Sequence, residues 1–489
     1  MTRPATGRSQ TGRLGAVADL APPPGVRVVL DARPLQEPGR GPLTATYLDG
    51  LLTAYDADPL EGESFALLLR SDLDDPTTRF ERLDVVGRRM LPPTHLLRSA
   101  ALTVDTFVLS GASVGAAWRA GHGGAAGAVY HAAGGAIPLA TGLPLVVTLL
   151  DLAPWELPKV YQRGPAARFG QRLRGRLLRD ASAVIVGSEA VAVAVRRLIH
   201  VRRERIRVVP LAPRPAFSFW PGGVPNGAGP ADATGAGLAA LEAARRVDHR
   251  AERERLGLPE RYLVYPGRFD ARQDLATLLH ALARLAAAGR PEDLPDDVVW
   301  PPRVLLVGAS PDDRASLARA AAREGVGDAL AYAPRLSDER LAVLVRGARA
   351  AILPAISDAA GLPALEAIAC GTPVIASAVG ALPEIVGSAG IVVQPRDADR
   401  LAAAVATAWS DERLYAGLAT AARERARLMA GPGPTSRTTR VACTRRSRRA
   451  EPRSRTSSRA SELASPSADA SGDRGQAGTS GGAAACRRP

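Results

Sequence analysis

The sequence contains almost no lysine and little cysteine. Lys159 is the one lysine among 63 lysine and arginine residues, so arginine carries nearly all of the positive charge. The three cysteines, Cys370, Cys443 and Cys486, are too few and too widely spaced for a disulfide framework or a cysteine-based metal site. We therefore predict no metal centre, and a reducing cytoplasm is the expected compartment.

Long apolar runs are also missing. No stretch approaches the roughly 18 apolar residues that a membrane-spanning helix needs. The apolar segment 14–20 is short and is interrupted by Asp19. The sequence thus predicts neither a signal peptide nor a membrane span, and it leaves a peripheral position at the inner face of the membrane open.

The net charge of +14 is concentrated near the end of the sequence. Residues 430–489 contain 12 arginines against four acidic residues and contribute +8, so the other residues together carry +6 and form no obvious basic stripe. We expect this mild excess to favour an anionic substrate or an anionic membrane surface. No nucleic-acid partner is expected.

Apolar strands alternate with amphipathic helices along the first half of the chain. Such alternation is typical of a parallel sheet with helices on both faces. Strands are predicted at 26–31, 65–69, 127–131, 145–150 and 183–187, and helices at 44–55, 168–178 and 190–198.

The pattern restarts after a stretch rich in Gly, Pro and Ala. The sequence therefore predicts an α/β fold of two Rossmann-like domains that face each other across a cleft, where ligands usually bind. The predicted parts are a disordered N-terminal segment (1–24), an N-terminal Rossmann-like domain (25–217), a linker (218–252), a C-terminal Rossmann-like domain (253–429) and a basic low-complexity tail (430–489).

Residues 351–377 hold the most informative motif. An apolar strand leads to Asp358, then to Gly361 and Leu362 at the start of a short helix that carries Glu366. Free N–H groups and the helix dipole at such a start attract phosphate. A carboxylate one turn later would accept hydrogen bonds from hydroxyls, a combination that suits a nucleotide sugar. A Rossmann-like unit binding another ligand is the alternative.

Several segments together resemble the retaining glycosyltransferases of family 4 (glycosyl transferases group 1), which have the GT-B fold. In that family an acid and a glutamate flank a Gly-x-Leu-Pro-type turn, and here these positions are Asp358 and Glu366. Residues 265–270 resemble the family's phosphate-binding loop, in which Arg268 would neutralise the donor diphosphate; a solvated surface arginine is the alternative. Further matching segments are 183–189, 206–210 and 382–393.

The chain departs from the family pattern beside the expected phosphates. Gln273 stands where the family usually has a lysine, and Arg272 next to it is the candidate for the second positive charge. Asp358 is one methylene shorter than the usual glutamate. The resemblance therefore implies a donor site that keeps the carboxylate of the first acid but carries it on a shorter side chain.

A second departure concerns the strand 145–150. The resemblance implies a final His-Asp pair, where this chain has Leu150 and Asp151. His131, predicted at another strand end, is a candidate substitute contact or a hydrogen-bonded structural residue. Asp151 is either a site acid or a cap of the following turn. Gly41, in Gly39-Arg40-Gly41, either approaches the donor phosphates or belongs to a simple turn.

Helical periodicity predicted for 402–427 vanishes at Gly431. The family usually continues into a helix that contains tryptophan and packs on the N-terminal domain. Residues 432–437 can be encoded so that dropping two bases reads Trp-Ala-Asp-Val-Ala. We hypothesise a shifted reading frame after about Leu428, which the nucleotide sequence tests; a natural basic tail is the alternative.

The resemblance implies transfer of a mannosyl or glucosyl group from a nucleotide-diphosphate sugar to an acceptor hydroxyl, with retention, in cell-envelope glycan assembly. No cofactor is implied besides this donor substrate, which the C-terminal domain would bind. The acceptor would be a sugar or a lipid-linked molecule, bound by the N-terminal domain. Asp358 would contact the sugar, Glu366 the ribose, and Gly361 and Leu362 the phosphates. The alternatives are a nucleotide-sugar-binding protein without transferase activity and a nucleotide-sugar epimerase.

Overall fold

The structure is a computed structural model that describes residues 26–59, 62–91, 128–134, 136–138, 142–219 and 246–429. The predictions for segments 1–24 and 430–489, including the reading-frame hypothesis, lie outside these residues. Most of the predicted linker lies outside them as well.

The first half of the chain builds a parallel sheet of seven strands in the order β3-β2-β1-β4-β5-β6-β7. Both faces are buried: Val29 and Tyr130 belong to the core on one face, and Leu30 and Val129 to the core on the other. Burial on two faces explains why the strands are continuously apolar in sequence. The strands are β1 (Arg27–Asp31), β2 (Ser64–Arg70), β3 (Val85–Leu91), β4 (Ala128–Ala133), β5 (Leu145–Thr148), β6 (Ala183–Val186) and β7 (Ile206–Val208).

Helices that cover this sheet begin with strong local signals. Five of them have proline at the first or second helical position, where its missing N–H costs no hydrogen bond. The sixth is capped by the Ser188 hydroxyl, which accepts the Val191 N–H at 3.2 Å. The helices are α1 (Arg33–Gln36), α2 (Pro42–Ala57), α3 (Ala153–Glu156), α4 (Pro158–Tyr161), α5 (Pro165–Asp180) and α6 (Glu189–Ile199).

The second half builds a parallel sheet of six strands in the order β10-β9-β8-β11-β12-β13. The order reverses between β8 and β11, as it does between β1 and β4, which is the arrangement of a doubly wound Rossmann-like sheet. The predicted fold class is thereby confirmed. The strands are β8 (Leu263–Tyr265), β9 (Val304–Val307), β10 (Leu330–Ala333), β11 (Ala350–Leu353), β12 (Val374–Ser377) and β13 (Gly390–Val393).

Eight helices are described in the second half, and the first of them begins inside the predicted linker. It contains Glu252, a buried acid that pairs with Arg340, so ordered structure starts before residue 253. None of the helices in the described ranges is long and apolar enough to cross a membrane. They are α7 (described over 246–255), α8 (Leu275–Ala288), α9 (Pro311–Arg323), α10 (Asp338–Gly347), α11 (Leu362–Ala369), α12 (Leu382–Val386), α13 (Ala398–Ser410) and α14 (Glu412–Met429).

Two of the differences from the prediction have clear physical reasons. Strand β3 was not predicted, because it is an edge strand whose Arg88 and Arg89 break the apolar pattern. The single helix predicted for 402–427 is two helices, since Asp411 interrupts it and its carboxylate caps α14 by accepting the N–H groups of Arg413 and Leu414 at 2.9 Å.

Candidate functional site

A cavity of about 430 Å³ lies at the carboxyl ends of the second sheet's strands. The loops that follow β8, β9, β10 and β11 line it, and the first half contributes the start of α2 and the residues after β5. Open parallel sheets bind ligands at this edge, where the strand order reverses. The volume is in the range of small-molecule sites, about 300–1,000 Å³.

The loop after β8 presents Arg268 to this cavity. The Tyr265 hydroxyl donates to the Arg268 carbonyl oxygen, and Gly267 is required because a methyl group there would overlap the Tyr265 ring. Within the described residues the half-buried Arg268 guanidinium has no hydrogen bond or ion pair. Burial, with repulsion from Arg272, lowers its pKa. The loop therefore holds a cation that feels the charges of Asp270, Asp151 and Asp358 but has no direct partner among the described residues.

Arg272 differs from Arg268 because two carboxylates already bind it. It pairs with Asp270 on its own loop, and its Nη1 donates to Asp151 Oδ2 at 2.8 Å. The hydrogen bond to Asp270 is the main reason why the pKa of Arg272 is raised. Arg272 thus lines the cavity with its charge neutralised, and its contact with the phosphates stays a prediction. Gln273 lines the cavity too, beside it.

Asp358 organises the turn that begins α11. Its Oδ1 accepts the Gly361 N–H at 2.7 Å and the Ala360 N–H at 3.2 Å. Burial raises the pKa of Asp358, and these two N–H groups act against that shift. Gly361 has φ of 60°, which glycine adopts without strain. The prediction that the Gly361 N–H contacts a phosphate is corrected here, because this N–H donates its hydrogen bond to Asp358.

The remaining donors at the start of α11 belong to its first turn. Pro363 has no N–H, so Leu362 and Ala364 supply the N–H groups that have no acceptor within the helix. Leu362 lines the cavity. The helix dipole adds partial positive charge at the same point.

Glu366 lies one turn further along α11 and is 4% exposed. Its carboxylate is held by Arg214, whose Nε donates to Oε1 at 2.6 Å and whose Nη2 donates to Oε2 at 2.9 Å. Both residues line the cavity. No sequence pattern pointed to Arg214, since it lies outside every recognised motif and approaches Glu366 only through the fold.

The first half contributes a largely apolar wall to the cavity. Pro42, Leu43 and Leu150 line it, whereas Gly41 does not, and a methyl group at Gly41 would meet no atom nearer than 3.8 Å. A simple turn therefore explains Gly41. Asp151 caps α3, because its Oδ1 accepts the Ala153 N–H at 2.8 Å, while its Oδ2 accepts from Arg272. Its role as a site acid stays a prediction.

His131 is not in the cavity, and the prediction of a substrate contact is corrected. Strand β4 continues to Ala133, so His131 lies inside the sheet rather than at its end, with 0% exposure. Its Nε2 bonds the Thr148 hydroxyl at 2.9 Å, and its Nδ1 has no partner in the described residues. Burial lowers the pKa of His131 to about 4. It is a neutral core residue.

Polar contacts join the two halves beside the cavity. Ser357 donates to the Glu156 carboxylate. Glu384 accepts the N–H groups of Glu189 at 3.3 Å and Ala190 at 3.2 Å, so an acid of the second half caps a helix of the first. No group of three or more His, Cys, Asp or Glu side chains in the described ranges could hold a metal ion.

Comparisons with solved structures agree on the architecture. Sucrose-phosphate synthase from Thermosynechococcus elongatus is 21% identical, with a TM-score of 0.57 over 86% of this chain and 98% of its own. Anabaena HepE in complex with UDP and glucose is 16% identical, with a TM-score of 0.58 over 86% of this chain and 99% of its own. The fold therefore defines a two-domain α/β protein of the GT-B class.

Comparisons of sequence define the family. Residues 248–425 match the family model for glycosyl transferases group 1, and residues 25–212 match that for the glycosyl transferase 4-like domain. The chain belongs to the group 1 glycosyltransferases, a family of transferase enzymes, and the recognition made from its motifs is confirmed.

Curated relatives match over a limited part of their length. O-antigen chain mannosyltransferase B of Escherichia coli is 32% identical over 160 residues, 31% of this chain and 37% of the relative. D-inositol 3-phosphate glycosyltransferase of Streptomyces bingchenggensis is 39% identical over 163 residues, 31% of this chain and 34% of the relative. The chain thus spans about a third of the length of these relatives.

Proposed function

We propose that the chain transfers a mannosyl or glucosyl group from a nucleotide-diphosphate sugar to an acceptor hydroxyl, with retention at the anomeric carbon. The observation that carries this proposal is Arg268, a half-buried cation without a partner among the described residues, aimed into a cavity at the strand-order switch point. An anion compensates such a group best, and the planar guanidinium suits phosphate oxygens.

The donor diphosphate would lie between Arg268 and the start of α11. When the bond from the anomeric carbon to the diphosphate breaks, the electron pair stays on the leaving diphosphate, where Arg268 and the Leu362 N–H offset the new charge. The acceptor oxygen forms the new bond to the same carbon from the face that the diphosphate leaves, which retains the configuration, and its proton passes to an oxygen of the leaving diphosphate. Fixed donors aimed at charge that develops in the transition state are usually the largest catalytic contribution.

Asp358 and Glu366 would hold the two sugar rings of the donor. Oδ1 of Asp358 takes two backbone N–H groups, which leaves Oδ2 to accept hydroxyls of the transferred sugar. Glu366 would accept the ribose hydroxyls. The names of relatives support this donor class: the similar Escherichia coli protein is a mannosyltransferase, and Anabaena HepE has been solved with UDP-glucose.

Turnover with defined donors tests the proposal. The chain is incubated with UDP-glucose, GDP-mannose or ADP-glucose and a panel of sugar and lipid-linked acceptors, and proton NMR reports the anomeric configuration of the product. A product with the donor's configuration supports the proposal, and an inverted product contradicts retention.

A binding protein without transferase activity is the second candidate. Leu150 supplies an apolar wall where the family resemblance implies histidine, and Arg272 is neutralised by two acids. Donor that binds but stays unchanged with every acceptor supports this candidate. An altered sugar in the absence of acceptor would instead identify an epimerase.

We also propose that α5 contacts the inner face of an anionic membrane, which would hold a cytoplasmic protein near a lipid-linked acceptor. Exposed Arg168, Arg172 and Arg176 recur along one face of α5, with Phe169, 61% exposed, beside them. Each arginine near an anionic surface contributes about 1 kcal/mol. The unchanged chain should sediment with phosphatidylglycerol vesicles, and a variant in which glutamine replaces the three arginines should not. Equal sedimentation of the two proteins would contradict the contact.

A further inference from the structure

Arg214 connects the two halves of the molecule at the candidate donor site. It follows β7 of the first sheet, yet its guanidinium reaches α11 and α10 of the second. Two of its nitrogens bind the two oxygens of Glu366, at 2.6 and 2.9 Å, and the third binds Asp338. This fork-to-fork geometry fixes the orientation of the Glu366 carboxylate as well as its charge.

The Glu366 carboxylate needs this partner because it is buried. Burial raises the pKa of Glu366, and the hydrogen bonds and charge of Arg214 act against that shift. The nearby Asp338 carboxylate adds to the increase, and it is itself held by Arg214. Without Arg214, two acids would face each other at the edge of the cavity with no cation between them.

The Arg214 contact leaves Glu366 able to bind a ligand. A carboxylate offers about four lone-pair positions, and a bidentate arginine uses one on each oxygen. Both residues line the cavity, so the remaining positions are available to hydroxyl donors from a ligand. Arg214 therefore orients Glu366 without occupying all of its acceptor capacity.

We propose that Arg214 is a positioning residue, which fixes the Glu366 carboxylate as the acceptor for the ribose hydroxyls of the donor. This inference rests on the proposed donor site. Because Arg214 belongs to the segment leaving the first sheet, it also couples the donor site to the connection between the two halves.

The test compares donor binding by Arg214→Met, Arg214→Lys and the unchanged chain at about pH 6 and about pH 8, a range that spans a raised carboxyl pKa. Isothermal titration uses UDP-glucose, GDP-mannose and ADP-glucose, whose diphosphate diesters do not titrate in this range. Arg340→Met is the matched control, since Arg340 also pairs with a buried acid, Glu252, but does not line the cavity.

Compared with the unchanged chain, Arg214→Met should bind the donor about tenfold more weakly at the lower pH, because Glu366 is protonated there. The loss of affinity should be smaller at the higher pH. Arg214→Lys should keep the pH independence of the unchanged chain, with reduced affinity. At both pH values, Glu366→Gln should bind the donor as weakly as Arg214→Met does at the lower pH. Arg340→Met should bind like the unchanged chain.

Two results overturn the inference alone. One is that Arg214→Met binds the donor as tightly as the unchanged chain. The other is that Arg214→Met loses affinity equally at both pH values, which marks a purely structural role. Failure of the unchanged chain to bind any of the three donors overturns the proposed function instead, and this inference with it.

Discussion

The two halves of the molecule share one strand order but bring different chemistry to the cavity between them. The second half contributes Arg268, Asp358, Glu366 and the start of α11, which together form a polar site for an anion and hydroxyls. The first half contributes an apolar wall with Asp151 and Arg214, and its buried His131 lies away from the cavity. Under the proposed function the second half supplies the groups that contact the donor, and Arg214 of the first half positions one of them. Substitutions in the two halves should therefore have different effects.

The largest effect is expected from Arg268→Met in the second half. Loss of the cation that offsets the leaving diphosphate should lower the rate of sugar transfer about a hundredfold or more. This loss is measured as the initial rate of sugar transfer, with the donor that the NMR experiment identifies. Arg319→Met, an exposed substitution on α9 outside the cavity, is the control and should keep the full rate. Equal rates in both variants would contradict the role of Arg268.

His131 tests the structural character of the first half. Its pKa is lowered from 6.5 to about 4, so the unfolded chain binds a proton there that the folded chain does not. Stability should therefore fall as pH drops from about 6.5 towards 4, by about 2–3 kcal/mol in all.

Urea unfolding of the unchanged chain and of His131→Gln measures this contribution. Glutamine does not titrate and can still bond Thr148, so the variant should lose less stability between about pH 7 and about pH 4.5. Donor binding near pH 7 should be nearly the same in both. Identical pH dependence of unfolding would show that His131 is not held neutral.

Gly380 tests how closely the Asp358 turn is packed. A methyl group there would overlap the Asp358 carbonyl oxygen, so Gly380→Ala should displace the turn and weaken donor binding about tenfold. Gly257→Ala is matched in backbone strain, with φ of 62° against 53°, but its methyl group meets no atom within 4 Å. Similar binding by the two variants would mean that the turn tolerates displacement.

The smallest effect is expected from Asp151→Asn in the first half. Asparagine can still cap α3, but it removes one of the charges that neutralise Arg272. A partly exposed ion pair contributes about 1 kcal/mol or less, so donor affinity should rise by no more than about fivefold. Isothermal titration measures this change, and a large loss of affinity would place Asp151 in the donor site itself.

Sequence patterns predicted the second half more completely than the first. Apolar strands between recognisable turns located the loops of Arg268 and Asp358, because local signals such as proline at a helix start act within a few residues. The partners of those residues come from distant segments. Arg214 meets Glu366 across 152 positions, and Asp151 meets Arg272 across 121, so no local pattern contains them.

The misplaced His131 has a simple cause. The sequence pattern predicts a strand over 127–131 that ends at His131, whereas the strand continues through two alanines to Ala133. A neutral histidine that bonds Thr148 can lie within a core, and its side-chain type alone does not distinguish it from a histidine in a cleft.

A crystal structure of the chain with the nucleotide-diphosphate sugar that it binds tests the central claim most directly. We predict that the diphosphate lies within hydrogen-bond distance of the Arg268 guanidinium and the Leu362 N–H, and that the ribose hydroxyls face Glu366. A nucleotide bound away from Arg268, or on the wall formed by the first half, would contradict the assignment of the donor site.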